Sequence, residues 1–181
     1  MGARGTTRDA VKPDSSRTVY EGRQVDVVIE RYPMTEAEVV EHPPAVTIVA
    51  VDRDDCVTLV RQFRAPTRRS VLELPAGKLD DGEEPEAAAR RELEEETGLR
   101  GGVWERVTAF WTTPGFCNER MYLFFAEELE RGEPGEQDDD EDIEIVRIPR
   151  AEIRGRLGEI EDAKTLVGLL LYLSRRDKEV R

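Results

Sequence analysis

Glu92, Glu95 and Glu96 stand at i, i+3 and i+4 within residues 77–99, GKLDDGEEPEAAARRELEEETGL. On a helix that spacing puts three carboxylates on one face. Like charges so placed repel, by roughly 0.2–0.5 kcal/mol per pair in an isolated helix. A cluster of hard divalent cations would offset the repulsion, because Mg²⁺ takes carboxylate oxygens together with substrate phosphates. Around the three stand Gly77, Glu83, Arg91 and Gly98, with apolar Leu93 and Leu99 between and after them. A solvated acidic helix, its glutamates paired with Arg90, Arg91 and Arg100, would explain the charges. It would not explain Gly77, Glu83 and Gly98 at their places.

The elements that must position these residues can be read outward from the run. Pro85 suits the first helical position, and Gly98 suits the left-handed position that ends a helix. Before the run, residues 70–77 (SVLELPAG) read as a short strand whose Pro75-Ala76-Gly77 turn delivers the chain to the helix. Residues 45–52 and 56–64 are β-branched runs separated by a DRDD turn, a hairpin pattern. Residues 17–34 alternate and are rich in Val and Tyr, which predicts two strands joined at Glu21-Gly22, and residues 36–42 a further one. After the run, residues 102–113 and 120–129 read as strands around the loop 114–119. An acidic loop, 132–142, leads to a strand at 143–149, and residues 150–158 and 162–176 have helical spacing. This order predicts a mixed sheet between helices.

At 181 residues the chain is most simply one domain with a small appended element. A content of 38% apolar and 37% charged residues fits a highly charged globular protein. The longest apolar run, 166–173, is too short to span a bilayer, so no membrane role is expected. The net charge of −13 argues against nucleic acid as a partner, since phosphate backbones need a basic face. Residues 1–16 lack the apolar core of a signal peptide and read as a disordered lead-in. Cys56 and Cys117 match no metal or redox spacing, which fits a reducing, cytoplasmic setting.

The run resembles the Nudix box: glycine, five residues, glutamate, seven residues, then Arg-Glu-apolar-any-Glu-Glu-any-Gly-apolar, with every fixed position filled. Seven such coincidences from average composition are on the order of 10⁻⁸ per starting point, weakened by about two or three powers of ten in a Glu-rich chain. The resemblance implies the Nudix α/β/α sandwich with a mixed sheet, plus a small N-terminal β-sheet element. Its domains would be a lead-in at 1–16, dimerising strands at 17–42 and the hydrolase domain at 43–181. The box marks hydrolysis of a nucleoside diphosphate linked to another group. VRQFRAP at 60–66, LELPAGKLDDGE at 72–83, Pro114 fifteen residues after Leu99, TTPGFCNERMYLFFA at 112–126, DEDIEIV at 140–146 and GEIEDAKTLVGLLL at 158–171 look like ADP-ribose pyrophosphatases. Thr113 replaces the serine usual before that proline.

That resemblance implies Mg²⁺, with Mn²⁺ as a substitute, held by Glu92 and Glu96, by Glu95 bridging or completing a second site, and by the main-chain carbonyl of Ala76. Glu83 would tie the loop or hold a metal-bound water. Arg91 would point away from the carboxylate stripe and orient it by pairing with one glutamate. Glu141, in the acidic segment, is the first choice for general base, with Glu144 and Asp140 behind it; Glu141 and Glu95 are the catalytic carboxylates. Arg64 would meet the pyrophosphate or the adenine, Glu119 the terminal ribose hydroxyls, and Phe116 would wall the pocket. Arg23 would reach a partner subunit's adenine, because this subfamily is usually a homodimer with exchanged N-terminal strands. The substrate implied is ADP-ribose, cleaved to AMP and ribose 5-phosphate. Relatives that cleave GDP-mannose share the RQFR, Pro-Gly and DEDIE segments, so another nucleoside diphosphate sugar is the alternative. A non-catalytic ADP-ribose sensor is a rival of another class. Such domains usually lose box carboxylates or are fused to a DNA-binding domain, whereas this box is complete and no second domain is expected from these 181 residues. A scaffold whose acidic surface binds a basic protein has only the net charge in its favour.

Overall fold

The structure, a computed structural model, describes residues 11–132 and 143–179. The chain divides into two compact units: residues up to His42 together with Thr113–Asn118, and Pro43–Thr112 together with the chain from Glu119 onward.

In the first unit, β1 (Ser15–Glu21), β2 (Asp26–Tyr32) and β3 (Thr35–Glu41) form an antiparallel three-stranded sheet in that order. A two-residue turn at Pro33-Met34 joins β2 to β3, and β1 carries a register shift between Thr18 and Tyr20. The 114–119 loop docks on β3: Val40 donates its N–H to the Phe116 carbonyl at 2.7 Å and accepts from the Asn118 N–H at 3.1 Å.

The second unit is built on a seven-stranded sheet. Its strands are β4 (Ala45–Asp52), β5 (Cys56–Arg64), β6 (Arg69–Glu73), β7 (Ala76–Lys78), β8 (Leu99–Trp111), β9 (Arg120–Arg131) and β10 (Ile143–Pro149). The path runs β10-β5-β4-β9-β8, with β6 on β5 and β7 on β4. Only β4 and β9 pair in parallel, so the sheet is mixed. Every residue of β4 is buried, as the unbroken run AVTIVAVD requires of a strand covered on both faces. Its side chains alternate. Val46, Ile48 and Ala50 pack with Ala88, Ala89 and Leu93 of α1 (Pro85–Thr97), and Val49 and Val51 with Leu169 and Tyr172 of α3 (Ala163–Glu179). The two helices therefore lie on opposite faces, an α/β/α sandwich. Beneath α3 the ring of Tyr172 meets Phe125 edge-on, centroids 5.1 Å apart.

Three elements differ from the sequence reading. The strand expected at 70–77 is two short strands, because Leu74-Pro75 steps from the flank of β5 to the flank of β4 and proline cannot donate to a ladder. β8 begins at Leu99, not at 102, with Gly101 and Gly102 both at φ 71° inside it. Residues 150–158 hold one short helix, α2 (Ile153–Arg156), between two 3-10 turns; Gly155 and Gly158 weaken a longer one.

Candidate active site

The site lies in the second unit, where the β6–β7 turn meets α1. Pro75 accepts hydrogen bonds through its carbonyl from the N–H of Ile48 at 3.0 Å and the hydroxyl of Thr47 at 3.4 Å. Leu74 donates its N–H to Thr165 Oγ1 at 2.8 Å, which pins the turn to the start of α3. β7 then pairs with β4 through Gly77 opposite Val46. α1 starts at Pro85 and ends on Gly98, left-handed at φ 71° with its N–H on the Glu94 carbonyl, as the sequence predicts.

The box carboxylates face β7 from α1. The carboxyl carbon of Glu92 lies 1.9 Å from where a Cβ at position 77 would stand, so any side chain there would displace the Glu92 carboxylate from this place. Ala76 donates its N–H to Glu96 Oε2 at 3.3 Å, and Glu96 is buried. Glu95, in the last turn of α1, has its side chain 45% exposed. Glu92 and Glu96 are thus held against the turn that carries the Ala76 carbonyl.

Arg91 does not point away from these groups, contrary to expectation. It donates from Nε and Nη2 to the two oxygens of Glu83 (3.1 and 2.9 Å), and from Nη1 to Glu92 at 2.9 Å and Glu95 at 3.0 Å. Its Nη2 also reaches the Lys78 carbonyl at 3.2 Å. The Glu83 hydrogen bond, ahead of the neighbouring carboxylate charges, raises the guanidinium above its ordinary range. The same bond, joined by the Asp80 N–H, holds the Glu83 carboxyl below its ordinary value. Glu83 ties the loop, since it also accepts the Asp80 N–H at 3.0 Å.

With Arg91 between Glu92 and Glu95, no three His, Cys, Asp or Glu side chains among the described residues converge as a ready metal cage. The donor set nevertheless fits a hard divalent cation. Glu92, Glu95, Glu96 and the Ala76 carbonyl offer oxygen alone, the chemistry Mg²⁺ selects, and the Gly77 cradle is shaped around one of those carboxylates.

Beside this face runs a network that the sequence reading missed. Arg64 does not present its whole fork to solvent: Nε and Nη2 bind the two oxygens of Glu73 at 2.8 and 2.9 Å. Lys164 of α3 closes on the same Glu73 and also pairs with Asp162 at 3.1 Å. Asp162 in turn accepts from the N–H and hydroxyl of Thr165, capping α3. Burial pushes the Glu73 carboxyl up, but Arg64 and Lys164 outweigh it and leave the group below its ordinary 4.5. A lowered carboxyl stabilises the fold above its unfolded value and loses that contribution as pH falls through the folded one. One signal was available, an acidic residue inside the apolar strand LELPAG, where a charge almost never lies unless paired.

The other predicted residues are placed as follows. Glu119, the residue before β9, accepts from the hydroxyl of Thr112 at 2.6 Å. Glu144 lies on β10 and pairs with Arg61 of β5 at 3.1 Å. In the first unit, Phe116 is exposed on its loop, and Arg23 is exposed in the β1–β2 turn. Glu141 and Asp140 lie outside the described residues.

Comparison with known proteins gives the family. The NUDIX domain matches residues 41–167. An ADP-ribose pyrophosphatase of Bacillus subtilis (strain 168) is 38% identical over 164 residues, 85% of this chain and 88% of the relative. A GDP-mannose pyrophosphatase of Cronobacter sakazakii (strain ATCC BAA-894) is 40% identical over 130 residues, 66% of this chain and 67% of its own length. A crystal structure described as an ADP compounds hydrolase superposes with a TM-score of 0.79 at 25% identity, covering 96% of this chain and 98% of that one. With the box complete, its carboxylates gathered on α1 and the sandwich around them, the chain belongs to the Nudix family and is a Nudix enzyme.

Proposed function

We propose that this Nudix enzyme hydrolyses the pyrophosphate of ADP-ribose to AMP and ribose 5-phosphate, with Mg²⁺ as its cation and Mn²⁺ as a substitute. One observation supports this above the others: the Glu92 carboxylate packs onto Gly77, its carbon 1.9 Å from where a Cβ there would stand, beside the Ala76 that would complete the cation site. Glu92, Glu96, Glu95 and the Ala76 carbonyl would hold the ions, which when bound neutralise the pyrophosphate, lower the pKa of a water and stabilise the departing phosphate.

The chain's own residues do the rest. Arg91, held to Glu83 through its Nε–Nη2 edge, keeps that anchor when Nη1 gives up Glu92 and Glu95. Arg64 offers phosphate the edge of its guanidinium that Glu73 does not take, since arginine pairs with phosphate through two parallel donors. Glu141 accepts the proton of the attacking water. The water oxygen bonds to phosphorus, the bridging P–O bond breaks, and its electron pair leaves on the departing phosphate. Glu119 accepts hydrogen bonds from the terminal ribose, and Arg23 would serve the adenine of a partner subunit.

A second reading, hydrolysis of GDP-mannose, is favoured by the Cronobacter sakazakii relative, which is as similar in identity over a shorter span. A kcat/KM panel over ADP-ribose, GDP-mannose, UDP-glucose, NADH and diadenosine polyphosphates separates them. We expect ADP-ribose to lead by at least about tenfold; a lead for GDP-mannose replaces the first reading with the second.

A further inference from the structure

We infer that Glu73 is a positioning residue for the anionic substrate: with Lys164 behind it, it fixes the guanidinium of Arg64 at one edge and leaves the other edge turned to a phosphate. The inference rests on the reading that a nucleoside diphosphate binds beside the box.

Four observations carry it. The Glu73 side chain is only 3% exposed, yet both its oxygens are taken by cations from two different elements, Arg64 of β5 and Lys164 of α3. A buried carboxylate at the end of β6, between Leu72 and Leu74, costs desolvation, and packing alone would be served as well by an apolar side chain. Arg64 is unlike its partners in being 40% exposed, so the pair has one wet end. Glu73 stands three residues before Ala76, whose N–H reaches Glu96, so the clamped arginine is held by the strand that leads into the box turn.

The geometry divides the work. Two parallel bonds from Nε and Nη2 lock the plane of the guanidinium, so the Nη1–Nη2 edge is oriented before any substrate arrives. A lone arginine would have to lose its rotamer freedom on binding; a clamped one has already lost it. Lys164 has a separate task. By sharing the Glu73 charge it leaves Arg64 incompletely neutralised, and so still attractive to phosphate. Asp162 holds Lys164 from its other side and caps α3, which keeps the ammonium on Glu73 rather than in solvent.

The tests are Glu73→Gln, Lys164→Met and Lys164→Arg in the full chain, assayed on the best substrate of the panel. Circular dichroism and a melting curve accompany each variant. Glu73→Gln should raise KM about tenfold or more, with kcat within about threefold of wild type and the Mg²⁺ concentration for half activity unchanged. Lys164→Met should raise KM severalfold, and Lys164→Arg should restore it to within about twofold. If Glu73→Gln does not fold, the two Lys164 variants decide alone. Equal KM in folded Glu73→Gln and wild type overturns the inference, as does a loss confined to melting temperature, which would make the network purely structural. If wild type turns over no member of the panel, the underlying reading falls and the inference with it.

Discussion

Glu96 is the box carboxylate most withdrawn from solvent, and the Ala76 N–H reaches one of its oxygens. Glutamine there keeps the shape and removes the charge. We predict that Glu96→Gln lowers kcat by at least ~10²-fold, the lower part of the range for losing one principal electrostatic contact, and steady-state kinetics at saturating Mg²⁺ would measure it. A wild-type kcat would remove Glu96 from the cation shell. Of the residues on this face, Gly77, Glu92, Glu95 and Glu96 were legible because their spacing is chemical and local. Glu73 was not. Within LELPAG it occupies an apolar strand, and its partner Lys164 lies 91 positions on, where DAKTL shows only the start of a helix. Pairings at that separation are made by the sheet, and no local pattern carries them. Arg91 was misjudged for another reason: helical spacing gives the direction of its Cβ, but a long guanidinium can curl back to three carboxylates at once.

Among the elements, the β6–β7 turn has the most to hold, because it supplies both Ala76 and Gly77. It is tied at one end by Thr165, whose hydroxyl accepts the N–H of fully buried Leu74. Thr165→Val keeps the volume and leaves that donor without its acceptor, so stability should fall by about 1–3 kcal/mol. Urea denaturation would report it; a change under about 0.5 kcal/mol would mean that the turn is held by Pro75 alone. The strands and helices at this scale were readable where local signals agree, as in the β-branched run AVTIVAVD of β4 or Pro85 and Gly98 at the ends of α1. The misses came where local chemistry interrupts a run. Pro75 splits one strand into two, and glycines at 155 and 158 shorten a helix whose apolar spacing looked continuous.

For the whole molecule, the sandwich follows from a fully buried central strand with a helix on either face. β1 is an edge strand exposed along its whole length, with Val19 45% and Tyr20 58% exposed. Such an edge invites pairing with another chain. We therefore predict a homodimer through the N-terminal strands, visible by sedimentation at micromolar concentration; a monomer there would also remove the reason to assign Arg23 to a neighbouring site. Cation-dependent hydrolysis of a pyrophosphate at the face of Glu92, Glu95 and Glu96 is tested most directly by AMP release from ADP-ribose by the purified chain with millimolar Mg²⁺, with and without excess EDTA. We expect stoichiometric AMP and ribose 5-phosphate with Mg²⁺, no release in EDTA, and recovery when Mg²⁺ is restored. Undiminished release in excess EDTA, or none under any condition, would contradict it.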